Sequence, residues 1–143
     1  IMKIKAITDH YFVTPQISVD DVPAIVESGF KTVICNRPDR EVPPSHQAHT
    51  LEAAVRAAGL EFHALPMTHQ TMTPDVIAQQ MTLSRSDGPV LAYCASGTRC
   101  TVAWAIGSAV EGQDIDQILS AAQAGGYPLE GLRPTLEEVA QKA

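Results

Sequence analysis

Cysteine is scarce: Cys35, Cys94 and Cys100 are the three in 143 residues. They are too few for a disulfide framework and lack the pairing of a metal site, so neither a disulfide scaffold nor a bound metal is expected. Free thiols fit a reducing compartment. There is no basic run, and the net charge is −6, which argues against nucleic acid and anionic membranes as partners. No apolar stretch reaches the length of a membrane span, and the first residues lack the charged-then-apolar plan of a secretory signal. A cytoplasmic location is the expectation. Internal repeats and linkers are missing too, so residues 2–143 read as a single domain.

What is present is material for a core. Apolar residues make up 45% and charged residues 18%, a balance that argues a globular fold over disorder. Tyr11-Phe12-Val13 reads as the first strand. Ser18 caps a helix with Asp20 and Asp21 in its first turn, Val22, Ile25 and Val26 on one face, and Gly29 at its end. Lys31 to Cys35 follows as a buried strand, and residues 36–45, rich in proline and charge, as a loop. Ser45 is placed to cap a second helix, whose Leu51, Ala54, Val55 and Ala58 share a face. Glu61 to Leu65 reads as a third strand and residues 66–72 as the loop beyond it. Thr73-Pro74-Asp75, a cap, a first-turn proline and an acid, opens a helix that runs to about Ser84. After the strand ending at Cys94, helical spacing returns in Val102, Ala105, Ile106 and Ala109, in Ile115, Ile118, Leu119 and Ala122, and in Leu136, Val139 and Ala140. Alternation of strand and helix argues a parallel α/β sheet.

One stretch carries chemistry. In Pro89-Val90-Leu91-Ala92-Tyr93-Cys94-Ala95-Ser96-Gly97-Thr98-Arg99-Cys100, an apolar strand ends on a cysteine, passes through four small residues, and meets an arginine where a helix begins. Small residues let successive backbone N–H groups turn inward on a bound oxyanion, and the helix N-terminus adds positive potential. The same field favours the thiolate of Cys94, the form that attacks. Arg99 can hold two oxygens of a tetrahedral anion through its planar fork. Ala95, Ser96, Gly97 and Thr98 are therefore the expected anion-binding loop. A strand, a small-residue loop and a helix are also an ordinary corner of an α/β fold, and a buried cysteine is often only a small apolar residue.

The order of these elements carries a resemblance. Residues Gly29 to Asp39, Gly59 to Pro66, and Gly88 to Cys94 with its cradle resemble the phosphatase-like domain of the beta-lactamase-hydrolase-like family, and the likeness runs from about Tyr11 to Glu138. That family is similar in fold to the small dual-specificity and tyrosine phosphatases, and its members have been described both as phosphatase-like and as rhodanese-like. The resemblance implies a cysteine-phosphatase-like α/β fold, a sheet of four or five strands with helices on both faces. It also implies Cys94 as nucleophile and Arg99 as oxyanion ligand, with no metal or organic cofactor.

Several positions depart from the cysteine-phosphatase pattern. Four residues separate Cys94 from Arg99, where those phosphatases have five; the shorter ring matches rhodanese-type sulfurtransferases. Tyr93 stands where the usual histidine precedes the nucleophile, and Cys100 where a serine or threonine follows the arginine. The loop after the third strand has no aspartate to act as general acid. His69 lies in that loop and Asp39 in the preceding one, each a candidate proton donor; His69 is otherwise a solvent-facing loop residue, and Asp39 a partner of Arg37 or Arg40 or of the turn at Pro38. Arg37 lines the rim of the site or is solvated. Cys100 is a resolving thiol for Cys94 or a small residue packed in the helix. Cys35 is expected close to Cys94 in the sheet.

Three functions follow. The first is a phosphatase-like hydrolase acting on a phosphorylated substrate. The second is a sulfurtransferase that passes sulfane sulfur from a donor to an acceptor thiol through a Cys94 persulfide. The third is a non-catalytic module that senses an oxyanion or a redox state.

Overall fold

The computed structural model describes residues 2–143. Strand β1 (Lys5–Ala6) and strand β2 (Tyr11–Thr14) come first, followed by helix α1 (Val22–Glu27), β3 (Thr32–Cys35), α2 (Ala48–Ala57) and β4 (Glu61–Ala64). Helix α3 (Pro74–Ser84), β5 (Val90–Tyr93), α4 (Thr98–Val110), α5 (Ile115–Ala124) and α6 (Arg133–Lys142) complete the chain. The five strands form one sheet in the order β1-β2-β5-β3-β4.

β2, β5, β3 and β4 are mutually parallel, and β1 runs antiparallel to β2. The all-parallel expectation is corrected at this edge. Thr8 accepts hydrogen bonds at its Oγ1 from the His10 and Tyr11 N–H groups at 3.1 and 2.9 Å, closing a turn too short for a parallel crossover. Both β1 residues are exposed, so no apolar alternation marked the strand.

Strand β5 lies between β2 and β3, and all four of its residues are buried. Alternation divides them between two cores. Val90, Ala92 and then Cys94 face a core with Trp104, Ala105, Ile118 and Leu136, under α4, α5 and α6. Leu91 and Tyr93 face the opposite core with Ile25, Val33, Leu51 and Phe62, under α1 and α2. Full burial of such a Leu or Phe side chain contributes about 1.5–3 kcal/mol. Helix α4 packs against α3, α5 and α6 and is buried almost all round, as befits a helix without a polar face.

Cys35 ends the strand next to β5, close to Cys94 as expected, and is a buried core thiol; alternation sets only which face it takes. It pairs in register with Tyr93 and shares that residue's face, whereas Cys94 belongs to the other core. Helix starts follow local acceptors. The Asp21 carboxylate accepts from the Ser18 N–H at 2.9 Å over a 3-10 turn, Val19–Asp21, that leads into α1. Ser45 does not cap α2: it sits in a 3-10 turn, Pro44–His46, and the helix starts at Ala48. Thr73 caps α3, its hydroxyl accepting from the Val76 N–H at 3.3 Å. Among the described residues, no helix is long and apolar enough to cross a membrane.

Candidate active site

The central position of β5 delivers Cys94 to the carboxyl ends of the parallel strands, where loops from β2, β3 and β4 converge. Residues Ala95, Ser96 and Gly97 turn back toward the cysteine, and α4 begins at Thr98. The Gly97 N–H donates to Cys94 Sγ at 3.1 Å. Gly97 has φ +91° and serves as the N-cap, a conformation that favours glycine. The loop is pinned from three sides. The Gln16 N–H donates to the Ala95 carbonyl at 3.2 Å, the Tyr127 hydroxyl to the Ser96 carbonyl at 2.9 Å, and the Thr101 hydroxyl to the Gly97 carbonyl at 2.8 Å. Ser96 Oγ and Thr98 Oγ1 lie 2.9 Å apart on the outer rim.

This geometry holds the Cys94 thiol well below its ordinary range, at about 5. The largest cause is a hydrogen bond from the Cys100 thiol; burial opposes it, and the backbone N–H groups of Cys100, Ser96 and Gly97 add to it. At neutral pH the sulfur is therefore a thiolate surrounded by donors. Burial and the neighbouring Cys94 sulfur push Cys100 well upward, so Cys100 keeps its proton and can donate. The replacement of a hydroxyl by Cys100 has thus kept a donor at that position, although S–H is a weak one.

Arg99 is tied to a residue that its sequence position does not reveal. Glu41, in the loop after β3, accepts from Arg99 Nη1 and Nη2 at 2.8 Å each, and the Met67 carbonyl accepts from Nη1 at 3.1 Å. A guanidinium has five N–H donors. Three are used here, and the remaining two, on Nε and Nη2, form the side-on edge of the fork available to an oxyanion. The pair is partly exposed at the rim, with side-chain exposures of 11% for Arg99 and 27% for Glu41. Hydrogen bonding from Arg99, and then from Arg37, holds the Glu41 carboxyl at about 2. No sequence signal pointed to Glu41; a carboxylate among the arginines of the β3–α2 loop was the available hint.

The other expected site residues divide. Arg37 lies at the rim behind Glu41, its Nε 3.2 Å from Glu41 Oε1 and its Nη1 donating to Gln16 Oε1 at 3.2 Å. Asp39 accepts from the Ala48 N–H at 2.9 Å, so its carboxylate holds the start of α2. It also lines, with Cys35, Arg37, Pro38, Ala64, Pro66 and Met67, a cavity of about 350 Å³ beside the Arg99–Glu41 pair. His69 is exposed on the β4–α3 turn. Cys94, Arg99, Cys100 and the four loop residues are contiguous at the start of α4, while the Asp39 carboxylate bonds the Ala48 N–H and His69 is exposed.

Comparisons with known proteins point to one family. A "Beta-lactamase hydrolase-like protein" of Agrobacterium fabrum strain C58 is 32% identical over 113 residues, which are 78% of this chain and 26% of that protein. One from Xylella fastidiosa strain Temecula1 is 29% identical over 90% of this chain, and the match spans 30% of its length. The chain thus spans less than a third of the curated relatives it matches. Among solved structures, nma1982 of Neisseria meningitidis Z2491, described as a candidate phosphatase, superposes with TM-score 0.85 at 35% identity, covering 97% of this chain and 99% of its own. PTPMT1 shares the fold, with TM-score 0.70 at 15% identity over 97% of both chains. The family model "Beta-lactamase hydrolase-like protein, phosphatase-like domain" matches residues 3–111, cradle included, and the chain belongs to that family.

Proposed function

We propose that this domain hydrolyses phosphate monoesters through a phosphocysteine on Cys94. The observation that carries the proposal is the seat of Cys94 at the end of β5, with the Gly97 N–H donating to its sulfur at 3.1 Å at the N-terminus of α4 and Arg99 in that helix's first turn, a setting that lowers its pKa to about 5. The sulfur attacks phosphorus; the S–P bond forms as the ester P–O bond breaks, and the leaving oxygen departs with the electron pair. The loop N–H groups and the free edge of Arg99 hold the equatorial oxygens as charge develops. Water then attacks phosphorus, the S–P bond breaks, and phosphate is released with regeneration of the thiolate. The Cys100 thiol, donating to the same sulfur, favours that departure.

Leaving-group protonation separates substrates. A positioned general acid is worth about 10²–10⁴ in rate, and Asp39 is engaged with the Ala48 N–H while His69 is exposed to solvent. Aryl phosphates, whose leaving oxygen needs little protonation, are the expected substrates in preference to alkyl phosphates. The test is phosphate release from an aryl phosphate by wild type and Cys94→Ser. Loss in the variant is the expected result, and equal turnover by both proteins would overturn the proposal.

The ring of four residues between Cys94 and Arg99 favours a second reading, sulfur transfer. There the thiolate attacks the sulfane sulfur of thiosulfate, the donor S–S bond breaks, sulfite leaves, and a Cys94 persulfide remains for an acceptor thiol. A gain of one sulfur atom by wild type but not Cys94→Ser, with no phosphate release, would move the assignment to this reaction.

A further inference from the structure

A buried chain of polar side chains runs beneath the cradle from β4 to α4. Asn36 follows β3 and is fully buried, as is Gln80 of α3, while Tyr11 of β2 is 2% exposed. Asn36 Nδ2 donates to the Leu65 carbonyl and to Gln80 Oε1, both at 2.9 Å. Gln80 Nε2 donates to Asn36 Oδ1 and to the Tyr11 hydroxyl oxygen, again both at 2.9 Å. The Tyr11 hydroxyl donates to the Cys100 carbonyl at 2.8 Å.

The direction of every bond is dictated. The Leu65 carbonyl can only accept, so Asn36 must present its amide nitrogen there and its oxygen to Gln80. Gln80 is then obliged to turn an N–H to Tyr11. Tyr11 has one proton, which is left for Cys100. Backbone groups extend the linkage: the Asn36 N–H donates to the Tyr93 carbonyl at 2.8 Å, and the Asn36 carbonyl accepts from the Met67 N–H at 3.0 Å. Met67 is the residue whose carbonyl holds Arg99. A core that needed only burial would place apolar side chains at these positions, because every member of a polar chain must be satisfied for it not to cost stability.

We propose that Tyr11, Gln80 and Asn36 are positioning residues that fix Cys100, and through it the reactivity of Cys94. The residue they grip, Cys100, is fully buried in the first turn of α4 in the same core as Cys94, and hydrogen bonding from it is the largest cause holding the Cys94 thiol low. The titratable groups close enough to act electrostatically on that sulfur are Arg99 and Cys100 from α4, Tyr11 from β2, Tyr127 from the α5–α6 loop and, from the opposite face of the sheet, Cys35 of β3. Arg99 is the one cation among them, so the remaining stabilisation of the thiolate comes from placed donors. Small movements of Cys100 then weaken two of those donors at once. The proposal rests on the thiolate reading of Cys94 and is independent of whether phosphorus or sulfur is transferred.

The test is the pH dependence of Cys94 alkylation by iodoacetamide, read site by site by peptide mass spectrometry, in the full chain. Tyr11→Phe removes the donor to Cys100. Gln80→Met, close in size, removes the bond that locks the Tyr11 hydroxyl and covers the case in which Tyr11→Phe does not fold. Val13→Ala, on the same strand and in the same core, controls for lost stability alone. Tyr11→Phe and Gln80→Met should raise the alkylation midpoint by about one unit, the size expected for weakening a charge-assisted hydrogen bond, while Val13→Ala keeps the wild-type midpoint. A wild-type midpoint in both relay variants, or an equal rise in Val13→Ala, would overturn the proposal. A wild-type protein that itself titrates like an ordinary thiol would instead overturn the thiolate reading beneath it.

Discussion

Gly97 has two reasons to lack a side chain. Its φ of +91° strains any L residue, and a Cβ there would lie 2.1 Å from the Tyr127 hydroxyl oxygen. Making room would break the Tyr127 bond to the Ser96 carbonyl. Gly97→Ala should therefore lose about 1–3 kcal/mol of stability, visible in urea unfolding, and should also weaken inhibition by inorganic phosphate. Glu41 acts by holding Arg99. Glu41→Gln keeps the shape but removes the charge, and should lower kcat/KM by about 10- to 100-fold through misplacement of the fork. Its stability should change by less than about 1 kcal/mol, because the pair is partly exposed and charges at such sites are screened. A loss of stability without a loss of rate would make Glu41 a structural residue only. Cys94 itself links stability to pH. Its folded pKa, about 5, lies below the ordinary thiol value of 9.0, so its contribution is full above about pH 9 and is lost as pH falls through about 5. Urea midpoints across this range should rise with pH more steeply in wild type than in Cys94→Ser.

At the scale of the element, helices α3 and α4 approach closely at Gly107. A Cβ there would meet Met81 Cγ at 2.3 Å and Sδ at 2.5 Å. Methionine is adaptable, so Gly107→Ala should be tolerated at a cost of about 1–3 kcal/mol, while Gly107→Val should unfold the domain at a markedly lower temperature. The elements were legible wherever local chemistry chose them. Thr73-Pro74-Asp75 named the start of α3, and the apolar run before Cys94 named β5, because a cap and a buried strand are properties of neighbouring residues. β1 was not legible, since Lys5 and Ala6 are exposed and owe their pairing to the Thr8 turn. Ser45 looked like the cap of α2, yet Asp39, nine positions before Ala48, supplies the acceptor. That choice depends on how two 3-10 turns fold the loop, which spacing alone does not encode.

The whole molecule explains why the site was only half visible in the chain. Cys94, its loop and Arg99 are contiguous, so one stretch of sequence displayed them. The groups that bond to this stretch come from elsewhere: Glu41 is 58 residues from Arg99, Tyr11 is 89 from Cys100, and Gln80 bonds across to both Tyr11 and Asn36. Polar residues scattered along a sequence carry no periodic mark, and only the order β2-β5-β3-β4 brings them under one cradle. The division of Cys35 and Cys94 between two cores follows from that order and its register. Similarity to nma1982 over 97% of the chain places the architecture.

The central claim is that Cys94 forms a covalent intermediate. The most direct measurement is rapid acid quench of the protein during turnover of an aryl phosphate, followed by intact-protein mass spectrometry and peptide mapping. One phosphoryl group on Cys94 in wild type and none in Cys94→Ser is the expected result. Turnover by wild type with an unmodified Cys94, and turnover at the same rate by Cys94→Ser, would contradict it.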